Sequence, residues 1–121
     1  MRQLIRTLPY EGIVYFGDTA RLPYGEKSRE TIIRFSQENA AFLQSHGIKA
    51  LVVACHTASA LALDALQTTL DIPVVGLVTA GVHEALQRTQ TGRVGILGTR
   101  GTIGSGVHAQ ALLQLNPAVE V

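Results

Sequence analysis

The sequence predicts an α/β protein in which helices cover both faces of a parallel sheet, giving three layers. Short apolar segments alternate along the chain with longer segments whose apolar residues have helical spacing. This order favours a parallel sheet, because each helix carries the chain back to the start of the next strand. The apolar segments alternate little between polar and apolar residues, which is typical of strands covered on both faces.

The apolar segments are predicted to be strands, and the last segment, at residues 119–121, would be only the beginning of one. Valine, isoleucine and aromatic residues are frequent in the first segment, and these residues pack well on a pleated surface. In chain order the segments are residues 12–16 (GIVYF), 49–55 (KALVVAC), 72–78 (IPVVGLV), 93–97 (RVGIL) and 119–121 (VEV).

The intervening segments are predicted to be helices. The first begins after Ser28, whose hydroxyl suits an N-cap, and ends at Gly47, a residue type common just beyond helix ends. An apolar stripe over residues 58–66 predicts one continuous second helix. A shorter helix is predicted over residues 82–92, and a last one over residues 105–115, although glycines crowd its start.

Both ends of the chain have the character of interior parts of a fold. Residues 1–8 (MRQLIRTL) look like the last turns of a helix, and residues 119–121 look like the beginning of a strand. The best candidate boundary is the polar segment at residues 89–92 (TQTG). We therefore expect residues 1–90 to form a first α/β lobe and residues 91–121 to start a second.

Composition and charge argue against several classes of function. The 121 residues are 46% hydrophobic and 16% charged, as in a soluble globular protein. A net charge of +1 without a basic stripe argues against a nucleic-acid partner, and no apolar run is long enough to span a membrane. The single cysteine rules out an internal disulfide, so a reducing, cytoplasmic location is expected.

Glycine and small hydroxyl residues follow the predicted strands, where ligands of open parallel sheets bind. Such segments offer backbone N–H groups to an anion. They are residues 17–25, 55–59, 79–81 and 98–102. Residues 98–104 lack the Lys-Ser or Lys-Thr of a phosphate loop, so nucleotide binding is not expected.

Cys55 is the strongest candidate for a functional residue, because it ends a predicted strand and begins the next helix. A helix N-terminus favours the thiolate, a base or nucleophile, whereas the simpler interpretation is a small buried hydrophobe. The neighbouring His56 either faces a ligand or packs at the helix start. Thr57 either caps the helix, the simpler interpretation, or holds a ligand carboxylate.

Other polar residues are weaker candidates for a functional site. The turn Pro23-Tyr24-Gly25 places a tyrosine either over a pocket or over the sheet edge. Asp18 and Thr19 are either a ligand site or an Asx-type cap. The remaining histidines lack metal-ligand spacing and are predicted to lie on helix surfaces; they are His46, His83 and His108.

Several of these segments together resemble the glutamate racemase family. The resemblance covers nearly the whole chain, and its first two motifs are long and specific. The motifs are residues 13–28 (IVYFGDTARLPYGEKS), 50–59 (ALVVACHTAS), 71–76 (DIPVVG) and 95–99 (GILGT), together with Thr102.

The resemblance implies that glutamate is racemised by two cysteines, without a metal or pyridoxal phosphate, to supply D-glutamate for peptidoglycan and cell shape. Cys55 would be the base that faces the D-isomer. His56 stands where the family usually has asparagine. The implied substrate-binding residues are Pro23, Tyr24, Gly25, His56, Thr57, Thr99 and Thr102.

Departures from the family pattern limit this expectation. The family's first strand, with an Asp-Ser pair, and its C-terminal half, with the second cysteine and a histidine, are absent from this sequence. Residues 79–81 (TAG) replace a usual Glu-Pro-Gly. We therefore expect the chain alone to be inactive. We also expect the apolar surface left by the missing parts to favour association, for example as a homo-oligomer.

Three alternatives remain. The first is an amino-acid or dicarboxylate-binding fragment without chemistry. The second is a racemase of another acidic amino acid, although the long match around Pro-Tyr-Gly favours glutamate. The third is a Cys–His hydrolase, which the adjacency of Cys55 and His56 argues against, because such pairs normally come from separate elements.

Overall fold

The computed structural model describes residues 2–121, in which helices surround a short parallel sheet. The strands are β1 (Leu51–Val52) and β2 (Val74–Val75), and a 3₁₀ turn covers Thr19–Arg21. The helices are α1 (Arg2–Thr7), α2 (Arg29–Gln44), α3 (His56–Leu61), α4 (Leu63–Thr69), α5 (Val78–Arg88), α6 (Arg100–Gly104) and α7 (Val107–Leu115). This arrangement confirms the predicted α/β class.

The sheet is parallel, as predicted, but its strands are shorter than the apolar segments that contain them. Leu51 lies opposite Val74, and Val52 opposite Val75. The Val53 N–H donates to the Val75 carbonyl at 2.8 Å, which continues the pairing by one residue. The two last predicted strands meet only in an isolated parallel bridge between Arg93 and Glu120.

The prediction of a strand at residues 12–16 is wrong. This segment has no regular secondary structure, and its apolar side chains are exposed, with Tyr15 at 75%. A strand needs a neighbour to accept and donate its backbone hydrogen bonds. No described residues lie beside this segment as such a neighbour, although Phe16 packs on Phe42 of α2.

The start of α2 is as predicted. The Ser28 hydroxyl accepts a hydrogen bond from the Thr31 N–H at 3.3 Å and caps the helix. The helix ends at Gln44, slightly earlier than predicted, and Gly47 then turns the chain with a φ of +69°. A left-handed φ is accessible to glycine without steric cost, so Gly47 performs the predicted terminating role.

The single helix predicted over residues 58–66 is two helices, α3 and α4, broken at Ala62 with a φ of −122°. The break lets the two halves pack differently. Leu61 joins a core cluster with Ile32, whereas Leu66 joins a second cluster with Leu51. The sequence stripe records that both halves are buried, but it does not show that they face different neighbours.

The carboxyl-terminal helices also differ from the prediction. Residues 100–104 form the short helix α6 rather than a loop, and Gly106, with a φ of +68°, separates it from α7. The Thr99 hydroxyl caps α6 by accepting from the Thr102 N–H at 3.3 Å. This cap offsets the poor helix propensity of the glycines in α6. Helix α5 begins at Val78, earlier than predicted.

A polar network fixes the loop that precedes α2. Tyr24 donates its hydroxyl hydrogen to the Asp18 carboxylate, and the Arg21 Nε lies 2.7 Å from the same oxygen. Asn39 of α2 donates to the Tyr24 oxygen at 3.1 Å. The Arg21 guanidinium also lies 4.2 Å from the centroid of the Phe35 ring. The Tyr24 turn is therefore tied to α2 by both polar and aromatic contacts.

The Asp18 carboxylate is the centre of this network. Burial opposes its ionisation, but hydrogen bonds from Tyr24, Arg21 and Asn39 outweigh burial and hold the pKa of Asp18 below 3.8. Burial and the bond to Asp18 raise the pKa of Tyr24 to about 12. The phenol therefore stays a donor and the carboxylate an acceptor across the neutral range.

We expect Asp18→Asn to lower the free energy of unfolding by about 1–2 kcal/mol at pH 7, because charge-assisted hydrogen bonds are lost. A carboxyl with a lowered pKa stabilises the fold above its unfolded pKa and loses this effect as the pH falls through the folded pKa. The difference between the proteins should therefore shrink below about pH 3.8. Urea unfolding at pH 7 and pH 3 measures both.

The control is Glu120→Gln, which removes an ion pair with Arg93 whose side chains are 71% and 74% exposed. Such exposed pairs contribute little, so this variant should unfold like the parent. Equal stability of Asp18→Asn and the parent at pH 7 would contradict the role given to Asp18.

Candidate functional site

An open cavity of about 480 Å³ lies where the start of α3 meets α5, α6 and α7. One wall consists of Cys55, His56 and Thr57, and glycine, threonine and aliphatic residues form most of the remainder. Those remaining residues are Gly81, Val82, Ala85, Val94, Gly95, Ile96, Leu97, Gly98, Thr99, Thr102, His108 and Leu112. The predicted segments 55–59, 79–81 and 98–102 thus each contribute to one cavity.

Cys55 is exposed at the rim of this cavity, so the interpretation as a buried small hydrophobe is wrong. Its backbone is extended, with φ −127° and ψ 123°, and it occupies the N-cap position of α3. The Cys55 carbonyl accepts from the Ser59 N–H at 2.8 Å, which closes the first turn of the helix. The thiol therefore lies where the sequence places it, between a strand end and a helix start.

Ser59, which sequence reasoning missed, holds this helix start in place. It is buried; its hydroxyl donates to the Val53 carbonyl at 2.9 Å and accepts from the Leu77 N–H at 3.2 Å. One side chain thereby joins α3 to the segments that follow both strands. A serine in an apolar helix gives no sign of this role in the sequence.

Three threonine hydroxyls form a closed cluster on the wall of the cavity. The Thr57 Oγ1 lies 2.9 Å from that of Thr99 and 3.1 Å from that of Thr102, and the latter two are 3.0 Å apart. Thr57 and Thr102 are buried, whereas Thr99 is exposed. Each hydroxyl has one hydrogen to donate, so an anionic ligand gains a donor when one hydroxyl turns out of the cluster.

The capping role considered for Thr57 is wrong. Thr57 lies in the first turn of α3, as expected, but the residue at the N-cap is Cys55, and no side chain caps the helix there. The Thr57 hydroxyl is directed instead to Thr99 and Thr102. The alternative use, contact with a ligand, remains a prediction that this position permits.

Gly25 brings the tyrosine turn against the same threonine cluster. Its carbonyl accepts from the Gly101 N–H at 2.9 Å. A Cβ at Gly25 would lie 2.4 Å from the Thr99 Cβ, so no other residue fits without displacing α6. Close approach of two backbones therefore explains the glycine in Pro-Tyr-Gly.

Pro23 and Tyr24 do not line the cavity. Pro23 is exposed, and Tyr24 packs on the core cluster that contains Ile32 and Leu61. Gly25 lines a neighbouring depression of about 360 Å³, which also includes Arg100. Of the turn, only Gly25 thus reaches the residues around the cavity.

Asp18 does not cap its loop through its side chain, so that interpretation is wrong. Its carboxylate is directed to Tyr24, Arg21 and Asn39 rather than to the cavity. Asp18 therefore supports the tyrosine turn through its contacts with Tyr24 and α2, and the ligand contact at Asp18 and Thr19 stays a prediction.

His108 does not behave as the helix-surface residue that was predicted. It is half-buried in the cavity wall, and its Nε2 lies 3.2 Å from the Nδ1 of His56. Burial, and secondarily the neighbouring His56 ring, lower the pKa of His108. The two residues are far apart in sequence, so no motif could have paired them. His83 is exposed on α5, as predicted, whereas His46 is exposed in the turn just after α2 and not on a helix.

The grouping of ionisable side chains and the length of the helices bear on other classes of site. Within residues 2–121, no three histidine, cysteine, aspartate or glutamate side chains are grouped so that they could hold a metal ion. No helix in the same part of the chain is long and apolar enough to cross a membrane.

Known proteins were compared with this chain. The glutamate racemase of Geobacter metallireducens is 55% identical over 121 residues, which is all of this chain and 45% of the relative. That of Persephonella marina is 53% identical over 107 residues, or 88% of this chain and 41% of the relative. The chain therefore spans less than half the length of these relatives.

Solved structures that are similar to this chain are also glutamate racemases. Glutamate racemase RacE1 from Bacillus anthracis superimposes with a TM-score of 0.94 at 44% identity, covering 99% of this chain and 45% of that one. The Francisella tularensis glutamate racemase in complex with D-glutamate gives a TM-score of 0.88 at 41% identity, with the same coverage. The family model described as Asp/Glu/Hydantoin racemase matches residues 1–120. This chain belongs to the Asp/Glu/hydantoin racemase family.

Proposed function

We propose that this chain is part of a glutamate racemase and that glutamate binds in the cavity beside Cys55. The observation that carries the proposal is an exposed thiol on the rim of a cavity whose wall holds the threonine cluster. The names of the relatives support it, as does a related structure solved with D-glutamate.

Cys55 acts in this proposal as the base that removes the α-proton of D-glutamate. A thiolate is a suitable proton acceptor, and general acid–base catalysis contributes about 10²- to 10⁴-fold in rate. Inversion at carbon needs a second acid on the opposite face of the substrate. The sequence has one cysteine, so the second thiol comes from a part of the protein outside these 121 residues. No metal or pyridoxal phosphate takes part.

The threonine cluster supplies hydrogen-bond donors to the substrate. The α-proton of an amino acid is very weakly acidic, and removing it places negative charge on the adjoining carboxylate. Donors fixed around the carboxylate stabilise that charge in the transition state. Thr99 is the exposed member, and His56, Thr57 and Thr102 complete the set around the cavity. Pro23, Tyr24 and Gly25 act indirectly in this proposal, because the Gly25 carbonyl holds the start of α6 through the Gly101 N–H.

The complete protein is proposed to have the three-layer sheet, with residues 1–90 in one lobe and residues 91–121 in the next. The exposed apolar segment at residues 12–16 and the fully exposed Leu97 fit a surface that is covered in the complete protein or in a homo-oligomer. The proposed location is the cytoplasm, and the proposed role is supply of D-glutamate for peptidoglycan and cell shape.

A binding fragment without chemistry is the second candidate, favoured by the presence of only one thiol. The two candidates differ in what they require of Cys55. A binding fragment keeps its affinity for glutamate and gains no exchange activity when the rest of a racemase is supplied. A racemase part regains catalysis under that condition and loses it with the thiol.

The test is a chimera in which this chain replaces the matching segment of the Geobacter metallireducens relative. We expect the chimera to exchange the α-proton of D-glutamate in heavy water, and Cys55→Ala to slow this exchange by at least about 10²-fold. His83→Ala, an exposed residue of α5 outside the cavity, is the control and should change little. The isolated chain should form no L-glutamate.

An inactive chimera that folds and binds glutamate would contradict the racemase proposal and favour the binding fragment. An active Cys55→Ala chimera would remove Cys55 from the mechanism. Racemisation by the isolated chain, in proportion to its concentration, would show that no second thiol is needed.

Thr99→Val in the chimera should raise the KM for glutamate about tenfold, because the substitution removes a donor to the substrate carboxylate together with the hydroxyl that caps α6. Thr68→Val is the matched control, since the Thr68 hydroxyl donates only to the Asp64 carbonyl on the exposed side of α4. Steady-state kinetics of the two variants measure this difference in KM. Equal KM values for Thr99→Val and Thr68→Val would show that the substrate carboxylate does not bind at Thr99.

A further inference from the structure

We propose that His108 fixes the tautomer of His56, so that His56 presents a permanent Nε2–H donor at the rim of the cavity. His108 is then a positioning residue that acts through His56. The use of this donor toward glutamate rests on the proposed function, whereas the tautomer itself does not.

The contact that carries the inference joins α3 to α7. The His56 Nδ1 and the His108 Nε2 are 3.2 Å apart, and the ring centroids are 5.3 Å apart with the planes tilted by 43°. Only one of these two nitrogens can carry the hydrogen of the bond. The tautomer of one ring therefore sets the tautomer of the other.

The second nitrogen of His108 decides which ring donates. The His108 Nδ1 is buried and has no hydrogen-bond partner among the described residues. An N–H in that position would be a buried donor without a partner, and orphaned buried N–H groups are rarer in proteins than under-satisfied acceptors. The hydrogen of neutral His108 therefore lies on Nε2, which donates to the His56 Nδ1.

The charge state of His108 supports the same assignment. Protonation would place a hydrogen on both ring nitrogens, including the buried Nδ1. Burial, together with the neighbouring His56 ring, lowers the pKa of His108 and favours the neutral form. The titratable residues that line the cavity in the described part of the chain are Cys55, His56 and His108, so no carboxylate there opposes this state.

His56 is left with one possible arrangement while it is neutral. Its Nδ1 accepts from His108, so its own hydrogen lies on Nε2, and the ring is exposed at the rim next to Cys55. The ring offers an N–H donor to an anion and no free basic nitrogen to the thiol. His56 therefore binds a carboxylate and does not serve as the general base for Cys55, which also argues against a Cys–His hydrolase.

The experiment is a long-range ¹H–¹⁵N correlation spectrum of the imidazole rings in the uniformly ¹⁵N-labelled 121-residue chain at pH 7. Single substitutions of the four histidines assign the signals. Both His56 and His108 should show a protonated Nε2 and an unprotonated Nδ1. A protonated Nδ1 on His56 in the parent chain would overturn the proposal without any further variant.

The variants test the cause. His108→Gln keeps a side-chain N–H near the position of Nε2 and should preserve the His56 tautomer, whereas His108→Phe should leave His56 as an exchanging mixture. His83→Phe is the control, because His83 is exposed on α5. An unchanged His56 pattern in folded His108→Phe would overturn the proposal. These spectra need no glutamate, so an inactive racemase chimera leaves their interpretation intact.

Discussion

The hydroxyl cluster of Thr57, Thr99 and Thr102 is the contact on which the candidate site depends. It joins the first turn of α3 to the cap and first turn of α6, at distances of 2.9–3.1 Å. Gly25 packs against the same cluster, because its place has no room for a Cβ. The cluster therefore brings together the tyrosine turn, the start of α3 and the start of α6, and Cys55 precedes Thr57 by two residues at the start of α3.

Local chemistry was enough to predict several elements of the fold. The Ser28 cap and the chain reversal at Gly47 follow from residues close in sequence, and the parallel pairing of two valine-rich segments follows from the alternation of strands and helices. The prediction failed where the secondary structure depends on contacts between residues far apart in sequence. Residues 12–16 have the composition of a strand but no paired neighbour among the described residues, and α3 and α4 separate because their leucines join different clusters.

The candidate site, like the fold, was predicted only in part. Cys55 was predicted from its place between an apolar segment and a helix, and the glycine–threonine segments from their place after strands. Ser59 and His108 were missed, because their roles come from contacts made across the fold. A serine in an apolar helix and a histidine with no nearby ligand residue give no pattern that sequence reasoning can use.

The proposed function depends most on glutamate occupying the cavity beside the Cys55 thiol. The most direct measurement is the rate at which iodoacetamide alkylates Cys55 in the chimera, with its other cysteines replaced by serine, as D-glutamate is added. We expect saturable protection from alkylation, because bound substrate covers the exposed sulfur. An alkylation rate that stays constant up to saturating glutamate, in a folded chimera that binds it, would contradict the account.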